Sequence, residues 1–218
     1  MSLFLFDMDG VLLDSMPLWE HLGEDFLRLH GRVPKPDFRS HILTMSMPQA
    51  AALLQEEYGF TQGEKELVAG LDQLAAGFYT EKAPAKEGVR EALEDLARQG
   101  CPCVVATATD HHLAEAALRR TGLLPFFHHI YTCTELRLSK DGPAFVQKIL
   151  EKEGVAPEGA VVVEDAIHAI RSARAAQIPV LAIFDETSRE VWPQIRALAQ
   201  WSLEDWRDFP QLSLASGK

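Results

Sequence analysis

Leu3-Phe4-Leu5-Phe6-Asp7-Met8-Asp9-Gly10-Val11-Leu12-Leu13-Asp14 decides how the rest of the chain is read. Leu3 to Phe6 is an uninterrupted apolar run and reads as a strand buried on both faces. It stops at two carboxylates two positions apart, followed by a glycine. In an extended strand Asp7 and Asp9 would point to opposite faces, so the backbone must leave β geometry after Asp7 if both serve one site. Gly10 allows that turn. Ligands of open α/β sheets gather at the carboxyl ends of strands, where this pair falls. The plainer alternative is a strand end with Asp as turn former and helix cap. A calcium loop does not fit, because Val11 and Leu12 take its fifth and sixth positions and Leu18 its twelfth.

From Ser15 to about Thr80 no strand is expected. Leu18, Leu22, Phe26 and Leu29 recur at helical spacing up to Gly31, and Val33-Pro34-Lys35-Pro36-Asp37 breaks the pattern. A second helix starts at Ser46-Met47-Pro48, with Ser46 or Met47 near the cap, and runs to Tyr58-Gly59. A third begins near Gln62 and carries Leu67, Leu71, Leu74 and Phe78. Beyond Ala83-Pro84 the rhythm becomes strand and helix in turn. Strands are expected at 103–106, 130–133, 160–163 and 179–183, with helices around 89–96, 113–120 (capped by Asp110), 144–150, 166–176 and Trp192. Such alternation means a parallel sheet covered on both faces. The expected fold is therefore α/β, a Rossmann-like core of residues 1–14 and 81–218 with an all-helical insertion over 15–80.

The chain of 218 residues carries 21 basic and 32 acidic residues, a formal net charge of -11. That balance argues against nucleic acid or an anionic membrane as partner. It leaves open an anionic small molecule, since a local basic group or a metal inverts the sign. No run reaches transmembrane length, and the opening apolar stretch lacks the length and basic region of a signal peptide. Cys101, Cys103 and Cys133 are too few and odd in number for a disulfide framework, so reduced thiols and a cytoplasmic location are expected.

Three further features fall at strand ends: Thr107-Ala108-Thr109, the helix opening Ser139-Lys140-Asp141-Gly142-Pro143, and Glu164-Asp165. Each has a bland reading, as helix cap, solvated loop lysine or dipole complement. Together with Asp7 and Asp9 they converge on one edge of one sheet.

Asp7-Met8-Asp9-Gly10-Val11, Thr107, Lys140 and Glu164-Asp165 resemble, in order and spacing, the four motifs of the haloacid dehalogenase-like superfamily. The helical insertion is similar to the cap of the subgroup holding β-phosphoglucomutase and phosphoglycolate phosphatase. Ala108, Asp141 and Ala169 depart from the asparagine, proline and glycine common there. The resemblance implies that Asp7 attacks phosphorus to form an aspartyl-phosphate and that Asp9 serves as general acid and base. It implies that Lys140 and the Thr107 hydroxyl hold phosphate oxygens beside backbone N–H groups, with Met8, Ala108 and Thr109 at the substrate. It further implies Mg2+ bound by Asp7, Asp9 through its carbonyl, Asp165 and Glu164, the last directly or through a water. Substrate choice is expected to lie with the cap, where Arg39, His41 and Lys35 could meet a distal group or stand as solvated charges. Neither the pair His111-His112 nor His128-His129 shares one face, so zinc is not expected. The resemblance implies a Mg2+-dependent phosphatase of a small phosphomonoester, with a sugar phosphate as the expected substrate, and a monomer or weak dimer is expected. A phosphosugar mutase and a catalytically idle binding protein are the alternatives. The loop Ser40 to Pro48 shows no lysine–arginine pair for the second phosphate a mutase would hold.

Overall fold

A computed structural model describes residues 2–38, 42, 45 and 47–211. These fall into two compact units, residues 1–14 with 84–218, and residues 15–83.

The first unit is built on strand β1 (Leu3–Phe6), whose four residues are all buried. Strands β2 (Cys103–Thr107), β3 (His129–Thr132), β4 (Ala160–Glu164), β5 (Val180–Ile183) and β6 (Trp201–Leu203) complete a parallel sheet of order β3-β2-β1-β4-β5-β6. Chain order runs outward from β1 through β2 to β3, then returns to β4 on the other side. This reversal makes the carboxyl ends of β1 and β4 the switch point where such sheets open a crevice. Phe6 pairs with Val105 on one side and Val163 on the other, which puts Asp7 level with Ala106 and Glu164, and Thr107 one residue further along β2.

Helices alternate with these strands, namely α4 (Val89–Arg98), α5 (His111–Thr121), the short α6 (Cys133–Leu136), α7 (Ala144–Glu153), α8 (Ile167–Ala175) and α9 (Trp192–Leu198). Period-2 alternation sends Leu3, Leu5, Val104, Ala106, Val162 and Val180 into one core, packed against Phe145 and Ile149 of α7, Ile170 of α8 and Ile195 of α9. On the other face Phe6 lies between the rings of Phe127 and Trp206, at centroid distances of 5.7 and 6.1 Å. Trp206 also donates its indole N–H to the Val11 carbonyl at 2.9 Å, fixing the loop that leaves β1.

Two expectations within this unit need correction. Cys133 opens α6 instead of closing a strand, because Thr132 caps that helix by accepting from the Glu135 N–H. Asp110 occupies the cap position of α5, but its carboxylate accepts from the Thr134 hydroxyl at 2.7 Å and makes no side-chain cap bond. Strand β6 was not expected. Its three residues follow no alternating pattern, and pairing with β5 alone recruits them.

The second unit contains α1 (Met16–Leu29), α2 (Met47–Tyr58) and α3 (Glu64–Glu81), so the boundary expected at 80 falls inside a helix. Gly70 of α3 faces the Phe26 ring of α1, and an added Cβ would lie 2.9 Å from it. Trp19 donates to the Tyr79 hydroxyl at 3.2 Å across the same helix pair. Leu29, the last of the residues recurring at helical spacing, is 69% exposed and lines a cavity of about 580 Å3 between α1 and α3. Among the described residues, no helix is long and apolar enough to cross a membrane.

Replacing Trp206 with Phe keeps the ring but leaves the Val11 carbonyl without its indole donor. The expected cost is about 1–3 kcal/mol. Urea unfolding followed by circular dichroism measures it, and an unchanged midpoint contradicts this account of the loop.

Candidate active site

Asp7 is the first residue past β1, yet its N–H still donates to the Val163 carbonyl at 2.9 Å. That bond holds its backbone in the sheet. The chain then turns, with Met8 accepting from the N–H groups of Leu12 and Leu13, both at 2.9 Å, and Gly10 donating to the Leu13 carbonyl. Gly10 has φ +76°, and a Cβ there would lie 2.3 Å from an Asp165 carboxylate oxygen. Both conditions require glycine. The turn that redirects Asp9 thereby lets the end of β4 approach the end of β1.

Lys140 reaches this level from the loop before α7. Its ammonium donates to Asp7 at 2.5 Å and to Glu164 at 2.9 Å. The other Glu164 oxygen accepts from the N–H groups of Asp165 and Ala166, at 2.7 and 2.9 Å. Glu164 thus grips the lysine with one oxygen and the start of its own following turn with the other. Ser172 of α8 donates to the Lys140 carbonyl at 2.6 Å, tying the lysine loop to the helix that follows β4.

Asp9 is only partly buried and meets a different partner. Its Oδ2 accepts from the Thr109 hydroxyl at 2.7 Å. The Thr109 N–H in turn donates to Thr107 Oγ1 at 3.0 Å. The Met8 side chain is fully buried, while Ala108 is exposed. Arg39, His41 and Ser46 lie outside the described residues. Lys35 is exposed and bonded within the helical unit, to Glu57 at 2.7 Å, with its ammonium 5.6 Å from the centre of the Tyr58 ring. His128 contacts Glu153 at 2.9 Å and His129 lies 3.9 Å from Glu135.

Asp7, Glu164 and Asp165 each offer an oxygen within 4.8 Å of the others. Three carboxylates and one ammonium, nearly removed from water, carry surplus negative charge. Burial first, then the Glu164 and Asp9 carboxylates, pushes Asp7 up to about 7 against the pull of Lys140. Burial, with Glu164 and Asp7, raises Asp165 well above the usual carboxylate range. Burial acts to raise Glu164 too, but Lys140, the Ala166 N–H and a side-chain hydrogen bond with Asp165 outweigh it and hold this carboxyl below its ordinary value. Burial works to discharge Lys140, and the Asp7 and Glu164 carboxylates overcome it and drive the ammonium upward. The surplus charge and the all-oxygen donor set fit a hard divalent cation.

The contacts of Thr109 with Asp9 and of Ser172 with Lys140 were not foreseen. Residues separated by 100 and 32 positions give no spacing signal.

The family described as haloacid dehalogenase-like hydrolase matches residues 1–177. A phosphorylated carbohydrates phosphatase of Thermotoga maritima is 26% identical over 178 residues, covering 82% of each chain. Hexitol phosphatase A of Escherichia coli is 28% identical over 182 residues, covering 83% of this chain and 82% of its own. A solved Thermotoga maritima protein, provisionally assigned as a β-phosphoglucomutase, superposes with TM-score 0.82 at 23% identity over 97% of both chains. At that identity the structural likeness speaks to the fold alone.

Two outcomes follow from the crowded carboxylates. Asp7 ionises near 3.8 when unfolded and near 7 when folded. Between these values the folded state keeps a proton the unfolded chain has shed, so this group lowers stability as pH rises. In chelator-treated protein the thermal midpoint should fall from about pH 4 to about pH 7, and an added divalent cation should raise it more at the upper end. A cation effect independent of pH contradicts this. Gly10→Ala, by displacing Asp165, should weaken cation binding about 10–100-fold by titration calorimetry.

Proposed function

Because the chain belongs to the haloacid dehalogenase-like hydrolase family, we propose that it is a Mg2+-dependent phosphatase of a small phosphomonoester, namely a sugar or polyol phosphate. The observation carrying this reading is the meeting of Asp7, Lys140, Glu164 and Asp165 at one point, with Asp9 two residues from Asp7 and held by Thr109.

In this reading an Asp7 carboxylate oxygen attacks phosphorus, forming the oxygen–phosphorus bond of an aspartyl-phosphate as the bond to the leaving alcohol breaks. Asp9 gives its proton to the departing oxygen, then accepts one from the water that attacks the phosphorus as the Asp7 oxygen–phosphorus bond breaks, which frees phosphate and restores the Asp7 carboxylate. Proton transfer of this kind contributes about 10²–10⁴-fold. Lys140 neutralises non-bridging oxygens. Thr107 Oγ1 already accepts from the Thr109 N–H, which leaves its own proton to donate to the phosphoryl group. Glu164 keeps the lysine extended toward Asp7. Asp7, the Asp9 carbonyl and Asp165, with Glu164 beside them, would hold Mg2+, which would supply the positive charge that lets an anionic nucleophile meet an anionic ester.

The identity of this acid pair supports phosphoryl transfer over dehalogenation. The names of the relatives, a phosphorylated carbohydrates phosphatase and a hexitol phosphatase, support the substrate class. The mutase reading has the likeness to the Thermotoga maritima protein in its favour, but that concerns fold.

A phosphate-release screen over sugar and polyol phosphates, with p-nitrophenyl phosphate as activated control, tests the reading. Turnover should require Mg2+ and disappear in Asp7→Asn while the thermal midpoint persists. Turnover retained in Asp7→Asn removes the nucleophile assignment, and no release from any ester removes the phosphatase.

A further inference from the structure

We propose that Thr109 is the positioning residue that aims the Asp9 carboxyl for proton transfer, an inference resting on the phosphatase reading above. An aspartate carboxyl turns through a broad, roughly two-fold torsion and has no preferred oxygen of its own. Here the Thr109 hydroxyl donates to Oδ2 at 2.7 Å. That hydroxyl proton takes the place a carboxyl proton would need, so the transferable proton is held on Oδ1. The bond serves both ionisation states, since Oδ2 remains an acceptor whether Oδ1 is protonated or bare.

Thr109 is well placed to hold this direction. It is buried, at 9% exposure, while the carboxylate it grips is more open. Its backbone N–H is anchored on Thr107 Oγ1 at 3.0 Å, and Thr107 belongs to β2, in register with Thr132 of β3. A β-branched side chain has a stiff first torsion, so the anchored backbone fixes the hydroxyl as well. Asp9 for its part sits on the turn closed by Gly10 and Leu13. One short segment after β2 thereby addresses both halves of the reaction. Thr107 faces the phosphoryl oxygens and Thr109 faces the acid. The sequence placed Thr109 among substrate contacts, whereas its hydroxyl is turned to a side chain of the enzyme.

The step it supports transfers the Oδ1 proton to the leaving oxygen as the phosphorus–oxygen bond breaks. An alkoxide needs that proton, and p-nitrophenolate departs without it. Because kcat/KM reads the reaction through capture of the phosphoryl group, it separates orientation of the acid from general damage.

The test compares Thr109→Val and Thr109→Ser with the unmodified enzyme on glucose 6-phosphate, or the best alkyl ester of the panel, and on p-nitrophenyl phosphate, all with Mg2+. Thr109→Val should lose about 10–100-fold in kcat/KM on the alkyl ester, mostly through kcat, with a loss at least ten times smaller on the activated ester. Thr109→Ser, which keeps the hydroxyl, should recover most of the loss. Thr109→Ala replaces the valine variant if that protein does not fold. Equal losses on both esters, no loss on either, or failure of serine to rescue overturns the proposal. An unmodified enzyme inactive on both esters overturns the phosphatase reading, and this inference with it, by a result no variant is needed to see.

Discussion

Everything at the carboxyl edge of the sheet depends on one ammonium standing between two carboxylates. Lys140 touches Asp7 and Glu164, which come from strands adjacent in space and far apart along the chain. Without that cation, acids held within 4.8 Å would have to disperse or take up protons. With it, one negative charge is matched and the surplus stays where a dication and a phosphoryl group would be handled. The repulsion that makes the site expensive is also what makes it receptive.

The supports of this arrangement are hydrogen bonds of unequal reach. Asp7 is held by its own ladder to β4, so the proposed nucleophile inherits the rigidity of the central sheet. Lys140 comes from a loop and is fixed at both ends of its residue, by the carboxylates at its tip and by Ser172 at its carbonyl. Asp9 alone stands on a turn, and its neighbour across the sheet supplies the restraint.

Much of this was legible in the chain itself. An apolar run of four followed by Asp-Met-Asp-Gly announced a buried strand with an acidic turn, and alternating apolar blocks announced the parallel sheet around it. The positions of Asp7, Glu164 and Asp165 follow from strand ends, which local pattern marks well, whereas Lys140 stands on the loop between α6 and α7. Less legible were features set by partners far away. The edge strand Trp201–Leu203 exists because β5 offers it hydrogen bonds. The turning of Asp110 toward Thr134 is a tertiary preference that outweighs a local capping rule. The hydroxyl of Thr109 could equally have served helix, ligand or neighbouring acid, and composition does not rank those choices.

The helical insertion leaves and re-enters the sheet unit through adjoining backbone. The Asp14 N–H donates to the Pro84 carbonyl at 2.9 Å, and the Lys86 N–H to the Leu12 carbonyl at the same distance. Lys86 further binds the loop after β5, through the Phe184 carbonyl and the Asp185 carboxylate. The doorway is thus one hydrogen bond wide and bolted on its inner side. Whatever lies between residues 14 and 84 can be lengthened, trimmed or exchanged by descent without stretching the sheet, because the scaffold sees only two neighbouring ends. A chain organised in this way can acquire new preferences in one module while the chemistry in the other stays untouched.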